Sequence, residues 1–134
     1  MTLVVDASVA AKWVLPESHS HRADALRAAG EPLIAPDLIC AELGNAVWKR
    51  ALQQEISRGD AVEALQTALG IFNALFPIAE LAARATELAI SVRHPIYDCF
   101  YLALAERERA RLITADKRLI RAAKQMKGIE VRAL

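Results

Sequence analysis

Four acidic residues stand where a lone carboxylate is costly. Asp6 follows Leu3-Val4-Val5, Glu42 follows Leu38-Ile39, Asp98 precedes Phe100-Tyr101, and Asp116 follows Leu112-Ile113. A charge among apolar neighbours must be paired, protonated or metal-bound. No lysine or arginine flanks Asp6, Glu42 or Asp98, although Lys117 and Arg118 follow Asp116. If the four gather, each pair about 5 Å apart repels by about 3 kcal/mol at an effective dielectric near 20. A cation relieves that repulsion, and an all-oxygen donor set selects Mg²⁺ or Mn²⁺ rather than zinc. Such an ion makes a carboxylate nest attractive to an anionic phosphodiester and activates water for its hydrolysis.

Each acid also has a plainer use. Asp6 and Asp116 are residue types that cap helix N-termini, Asp98 suits the dipole of its own helix, and Glu42 suits a surface. Taken singly, these alternatives stay open. Histidine has no assigned part: His19 and His21 lie in a polar helix start and read as solvated, and His94, before Pro95, reads as structural. Cys40 and Cys99 each lie in an apolar helical pattern. Both are expected to be buried, reduced thiols, which places the chain in the cytosol.

Strand ends and helix starts must bring these acids together. Thr2–Val5 reads as a buried strand rich in β-branched residues. Helices are expected over Ala7–Val14 and Ser18–Ala29, the second closed by Gly30. Leu33–Ala35 is a short strand. Pro36 then opens a helix to about Gln54, where its missing N–H costs nothing. Ser57-Arg58-Gly59-Asp60 resembles a capping box for a helix to about Leu75, broken by Pro77. Helices at Glu80–Val92 and Ile96–Arg109, a strand at Leu112–Thr114, a helix at Lys117–Gln125 and a strand at Ile129–Val131 complete the chain. Alternating strands and helices predict an α/β domain with a mainly parallel sheet. In such sheets functional groups gather at the carboxyl ends of the strands, where Asp6 and Asp116 fall.

The length of 134 residues suits one domain, residues 1–134. The longest apolar stretch, Leu69–Ala79, is broken by Asn73 and Pro77, far short of the roughly 20 residues of a membrane span. Nothing resembles a signal peptide: Leu3-Val4-Val5 has no positive region before it and ends at Asp6. Residues 1–102 carry eight Lys/Arg against twelve Asp/Glu, and residues 103–134 carry nine against four. An acidic body with a basic last quarter can hold a cation and attract a polyanion, unless the basic face is simply solvated.

The ordered set Val4-Val5-Asp6-Ala7-Ser8, Pro36-Asp37-Leu38 to Glu42-Leu43-Gly44-Asn45-Ala46, Tyr97-Asp98-Cys99-Phe100-Tyr101-Leu102-Ala103-Leu104-Ala105 and Leu112-Ile113-Thr114-Ala115-Asp116 resembles the PIN-domain family. The likeness spans Thr2 to about Val131, and the compact length resembles the VapC toxins of VapBC toxin–antitoxin pairs. The resemblance implies a three-layer α/β/α domain with many helices, Mg²⁺-dependent RNA cleavage, and inhibition by a small antitoxin. It makes Asp6 and Asp98 the main metal ligands, with Glu42 and Asp116 completing the pocket. Ser8, Asn45 and Thr114 match its supporting polar positions.

Further roles follow from placement. Lys12, one helical turn beyond Ser8, is within reach of a phosphate, and Lys117 and Arg118 could contact RNA. Trp48 and Leu52, with Phe72 and Phe76 expected on the next long helix, would form an apolar groove for an antitoxin helix. A homodimer is expected. Two rival readings stand: an aspartyl phosphatase with Asp6 as nucleophile, although position 8 is Ser8 where such sites want a second acid, and a non-catalytic PIN-like binding module.

Overall fold

The run Leu-Val-Val of β1 (Leu3–Val5) is buried at every residue, which marks it as a central strand covered on both faces. The computed structural model describes all residues, Met1–Leu134. On either side of β1 lie β2 (Leu33–Pro36) and β4 (Arg111–Thr114). The edges are β3 (Ala74–Phe76) and β5 (Glu130–Ala133), and all neighbours pair in parallel in the order β3-β2-β1-β4-β5. The chain winds outward from β1 to β3, then returns to β4 beside β1. Right-handed crossovers put the helices before and after this reversal on opposite faces, giving the expected α/β/α layers. The reversal also opens a crevice between the carboxyl ends of β1 and β4.

Helix α1 (Ala7–Ala10) continues into a 3₁₀ turn, Ala11–Trp13, and α2 (Ser20–Ala28) packs against that turn. Helices α3 (Ile39–Leu52) and α4 (Arg58–Ile71) pair with each other, as do α5 (Ala82–Val92) and α6 (Ile96–Glu108). Ser57 caps α4 as expected, accepting from the Asp60 N–H at 3.0 Å. Helix α7 (Lys117–Lys124) leads into β5. Every residue of α6 from Cys99 to Ala105 is buried, and the helix touches β1, β2 and β4. A helix apolar on all sides belongs in the middle of the fold. Its N-terminus lies at the carboxyl edge of the sheet, because the chain must run back before entering parallel β4. Asp98 is in that first turn.

Three expectations need correction. The helix expected to reach Leu75 ends at Ile71, and Ala74–Phe76 forms a strand instead. The cause is tertiary: Asn73 exchanges hydrogen bonds with Leu33, its N–H donating to the Leu33 carbonyl and its Oδ1 accepting from the Leu33 N–H, both at 2.8 Å. This sets Ile34, Ala35 and Pro36 opposite Ala74, Leu75 and Phe76. Pro36 does not open a helix; it ends β2, beyond the last pair with β1, where its missing N–H breaks no bond to that strand. Cys40 is exposed, while Cys99 is buried as expected.

Candidate active site

Apart from aromatic and thiol side chains, Asp6 and Thr114 are the only polar ones buried, and they bond to each other. Asp6 follows β1 and caps α1, its Oδ1 accepting from the Val9 N–H at 3.2 Å and from the Ser8 hydroxyl at 2.6 Å. The Thr114 hydroxyl donates to Oδ2. Both hydroxyls are held by the loop after β4. The Ala115 N–H donates to Ser8 Oγ at 3.2 Å, and the Asp116 N–H donates to Thr114 Oγ1 at 3.0 Å. A hydroxyl has one proton and two lone pairs, so each relays a backbone donor to the carboxylate. These contacts stitch the ends of β1 and β4 together. They favour the charged carboxylate, yet burial outweighs them: Asp6 is pushed up to about 6, with the Asp98 charge adding to the rise.

Asp98 and Glu42 face the same region. Asp98 Oδ2 lies 2.6 Å from His94 Nε2, four residues earlier. Glu42, half-buried in the first turn of α3, accepts from the Tyr101 hydroxyl at 2.6 Å. Burial and the Asp98 charge raise the Glu42 pKa against that bond. Burial first, then the charges of Glu42, Asp6 and Asp98, push the Tyr101 phenol far above its ordinary value. Asp98 therefore lies within electrostatic reach of both Asp6 and Glu42, and all three charges act on Tyr101. Asp116 is tied to this region only by its backbone, through the Thr114 hydroxyl, while its carboxylate caps α7 by accepting from the Arg118 N–H at 2.9 Å. The capping roles of Asp6 and Asp116 are thus real, and they coexist with the cluster.

A buried acid at a strand end, two more acids in reach and no lysine or arginine bridging to any of them fit a hard divalent cation. No three acidic, histidine or cysteine side chains close into a ready cage. Mg²⁺ is commonly bound by one or two carboxylates and keeps water for the rest. Asn45, one turn beyond Glu42, shares with it a hollow of about 310 Å³ lined also by Leu15, Glu17 and Arg50.

The PIN domain family model fits residues 3–125 of the chain. A curated relative, ribonuclease VapC3 of Pyrobaculum aerophilum, is 34% identical over 121 residues, covering 89% of this chain and 92% of its own. The chain belongs to the PIN-domain family of VapC ribonucleases. Among solved structures, PAE2754 from Pyrobaculum aerophilum aligns with TM-score 0.71 and 26% identity, over 98% of this chain and 83% of that one. A toxin–antitoxin complex from Klebsiella pneumoniae aligns with TM-score 0.67 and 19% identity, over 95% and 94% of the two chains, a likeness of fold.

Within this PIN domain, several expected placements differ from the structure. Lys12 donates to the Ser18 carbonyl at 2.8 Å, which uses one of its three N–H groups. Lys117 and Arg118 are exposed, as expected. Trp48 and Leu52 do line an open apolar groove, about 510 Å³ between α3 and α4, together with Val47, Ala51, Val62 and Leu65. Phe72 and Phe76 do not, because α4 ends before them. Phe72 packs on Trp13 with ring centroids 5.4 Å apart, and Phe76 lies 5.2 Å under the Arg107 guanidinium. Two side chains at the acids escaped sequence reasoning, Tyr101 and His94. Tyr101 lies one helical turn after Asp98, and that spacing was the available signal; His94 precedes the helix, so no helical period pointed to it.

Proposed function

We propose that this chain hydrolyses RNA phosphodiesters with Mg²⁺ or Mn²⁺ and is the toxin of a toxin–antitoxin pair, residues 1–134 acting as one PIN domain in the cytosol. The observation that carries the reading is the buried Asp6, raised to about 6 and lacking a cationic partner, beside Asp98 and Glu42. Asp6 and Asp98 hold the ion; Glu42 and Asp116 complete the acidic pocket. Bound there, the ion supplies the positive charge that draws in the phosphodiester, acidifies a water and steadies the leaving oxygen. Ser8, Thr114 and the Val9 N–H fix Asp6 in one orientation. Tyr101 fixes Glu42, and Asn45 beside it orients water. Lys117 and Arg118, at the start of α7 next to Asp116, take RNA phosphates.

The groove at Trp48 and Leu52 receives an apolar antitoxin helix, a reading supported by the likeness of fold to a chain of a toxin–antitoxin complex. A second copy of this chain covers the exposed Ile90 and Tyr97 on neighbouring α5 and α6. No helix is long and apolar enough to cross a membrane. A phosphatase with Asp6 as nucleophile fits poorly: three hydrogen bonds occupy its two oxygens, and Ser8 stands where a second acid is wanted.

The test is induction of the wild type and of Asp6→Asn in cells, followed by sequencing of RNA ends. New ends at defined sites should appear only with the wild type. Identical ends from both would overturn the reading.

A further inference from the structure

His94 sits on a backbone built to hold it still. Arg93 ends α5 in the left-handed region at φ 52°, and the His94 N–H donates to the Ala89 carbonyl at 3.2 Å. Pro95 restricts His94 to an extended conformation. The Cys99 thiol donates to the His94 carbonyl at 3.8 Å. The imidazole is 8% exposed, and its Nε2 reaches Asp98 Oδ2, in the first turn of α6, at 2.6 Å. A carboxylate only accepts, so the ring nitrogen donates. Asp98 itself is 28% exposed; Oδ2 is held, the other oxygen has no hydrogen bond, and its charge is felt at both Asp6 and Glu42.

We infer that His94 is a positioning residue for the metal site, locking Asp98 in the rotamer that presents its free oxygen to the ion. The inference rests on the proposed metal role of Asp98. An unheld carboxylate at the open end of a helix samples several rotamers and loses that freedom on binding an ion. The His94 bond removes the cost in advance, as partners behind metal ligands do, where their loss typically weakens metal binding about 10–100-fold. The other two carboxylates have the same kind of support, Asp6 from Ser8 and Thr114 and Glu42 from Tyr101. His94 completes the set.

The experiment is Mn²⁺ titration by calorimetry, without RNA, on metal-stripped wild type, His94→Leu and His94→Gln, with melting in EDTA alongside. Leucine keeps the packing and loses the donor; glutamine keeps a donor. Leucine should weaken Mn²⁺ binding about 10–100-fold, glutamine should retain most of the affinity, and both should melt close to wild type. His94→Ala replaces the leucine variant if that one fails to fold. Wild-type affinity without the donor would overturn the inference, and so would equal losses with leucine and glutamine. A wild type that binds no Mn²⁺ would instead overturn the metal reading beneath it.

Discussion

The Tyr101 hydroxyl donates to Glu42 Oε1 at 2.6 Å, tying α6 to α3 across 59 residues of sequence. Because burial and the surrounding acids keep the phenol protonated, this donor persists over the whole working range of pH. Tyr101→Phe deletes one oxygen and leaves the buried ring. The variant should fold, lose about 1–3 kcal/mol of stability for a bond to a charged acceptor, and lose about 10–100-fold in activity through the disoriented Glu42. Urea melts and single-turnover cleavage measure the two effects. Unchanged activity would remove Glu42 from the working set.

Asp6 makes the metal-free protein pH-sensitive in a predictable direction. Its folded pKa, about 6, lies above the ordinary 3.8, so the folded state binds this proton more tightly than the unfolded chain does. The penalty is fully present above pH 6, shrinks as pH falls, and is gone below 3.8. The difference of about two pK units corresponds to about 3 kcal/mol. In EDTA, stability attributable to Asp6 should therefore rise from pH 7 to pH 4, and Asp6→Asn should flatten that rise. An equally steep rise in the variant would assign the effect elsewhere.

Lys117, Arg118, Arg121 and Lys124 follow one another along α7, which Asp116 caps. Each phosphate neutralised on a single strand adds about 0.7 to the slope of log affinity against log salt. Replacing Lys117 and Arg118 with glutamine should lower that slope by about 1.4 and weaken binding of RNAs of any sequence alike. Filter binding in EDTA over a series of salt concentrations reads this. An unchanged slope would return both residues to the solvated face.

Trp48 is 55% exposed and Leu52 67%, an expensive arrangement unless a partner covers them. Trp48→Ala with Leu52→Ala should leave melting and RNA cleavage nearly unchanged and weaken antitoxin binding at least tenfold, about 1.4 kcal/mol. Phe72→Ala, which removes the ring packed on Trp13, should lower the melting temperature instead. Normal antitoxin binding by the double variant would place the partner on another surface.

The placement of Asp6 and Asp116 was legible in the sequence because functional groups in a parallel sheet gather at the carboxyl ends of its strands, and ends of neighbouring strands lie close together. Asp6 and Asp116 needed only β1 and β4 side by side, and Asp98 needed only the helix before β4. The strand Ala74–Phe76 was not legible. Three apolar residues after a helix carry no period of their own, and pairing of Asn73 with Leu33 decides their conformation. That error carried Phe76 onto a helix and into the groove, and Phe72 with it. Lys12 was assigned by spacing from Ser8, but the fold turns it to the Ser18 carbonyl. His94 reads as structural from its place before Pro95, and the contact of its ring with Asp98 emerges only in the fold.

On the proposed function, these carboxylates cut RNA by holding a metal ion. The most direct measurement is cleavage of a structured RNA by the purified chain, alone and as Asp98→Asn, in EDTA and after adding Mg²⁺ or Mn²⁺. The wild type should be silent in EDTA and recover with either ion, and Asp98→Asn should stay silent while melting in EDTA close to wild type. Full cleavage in EDTA, or cleavage by Asp98→Asn at the wild-type rate, would contradict the account.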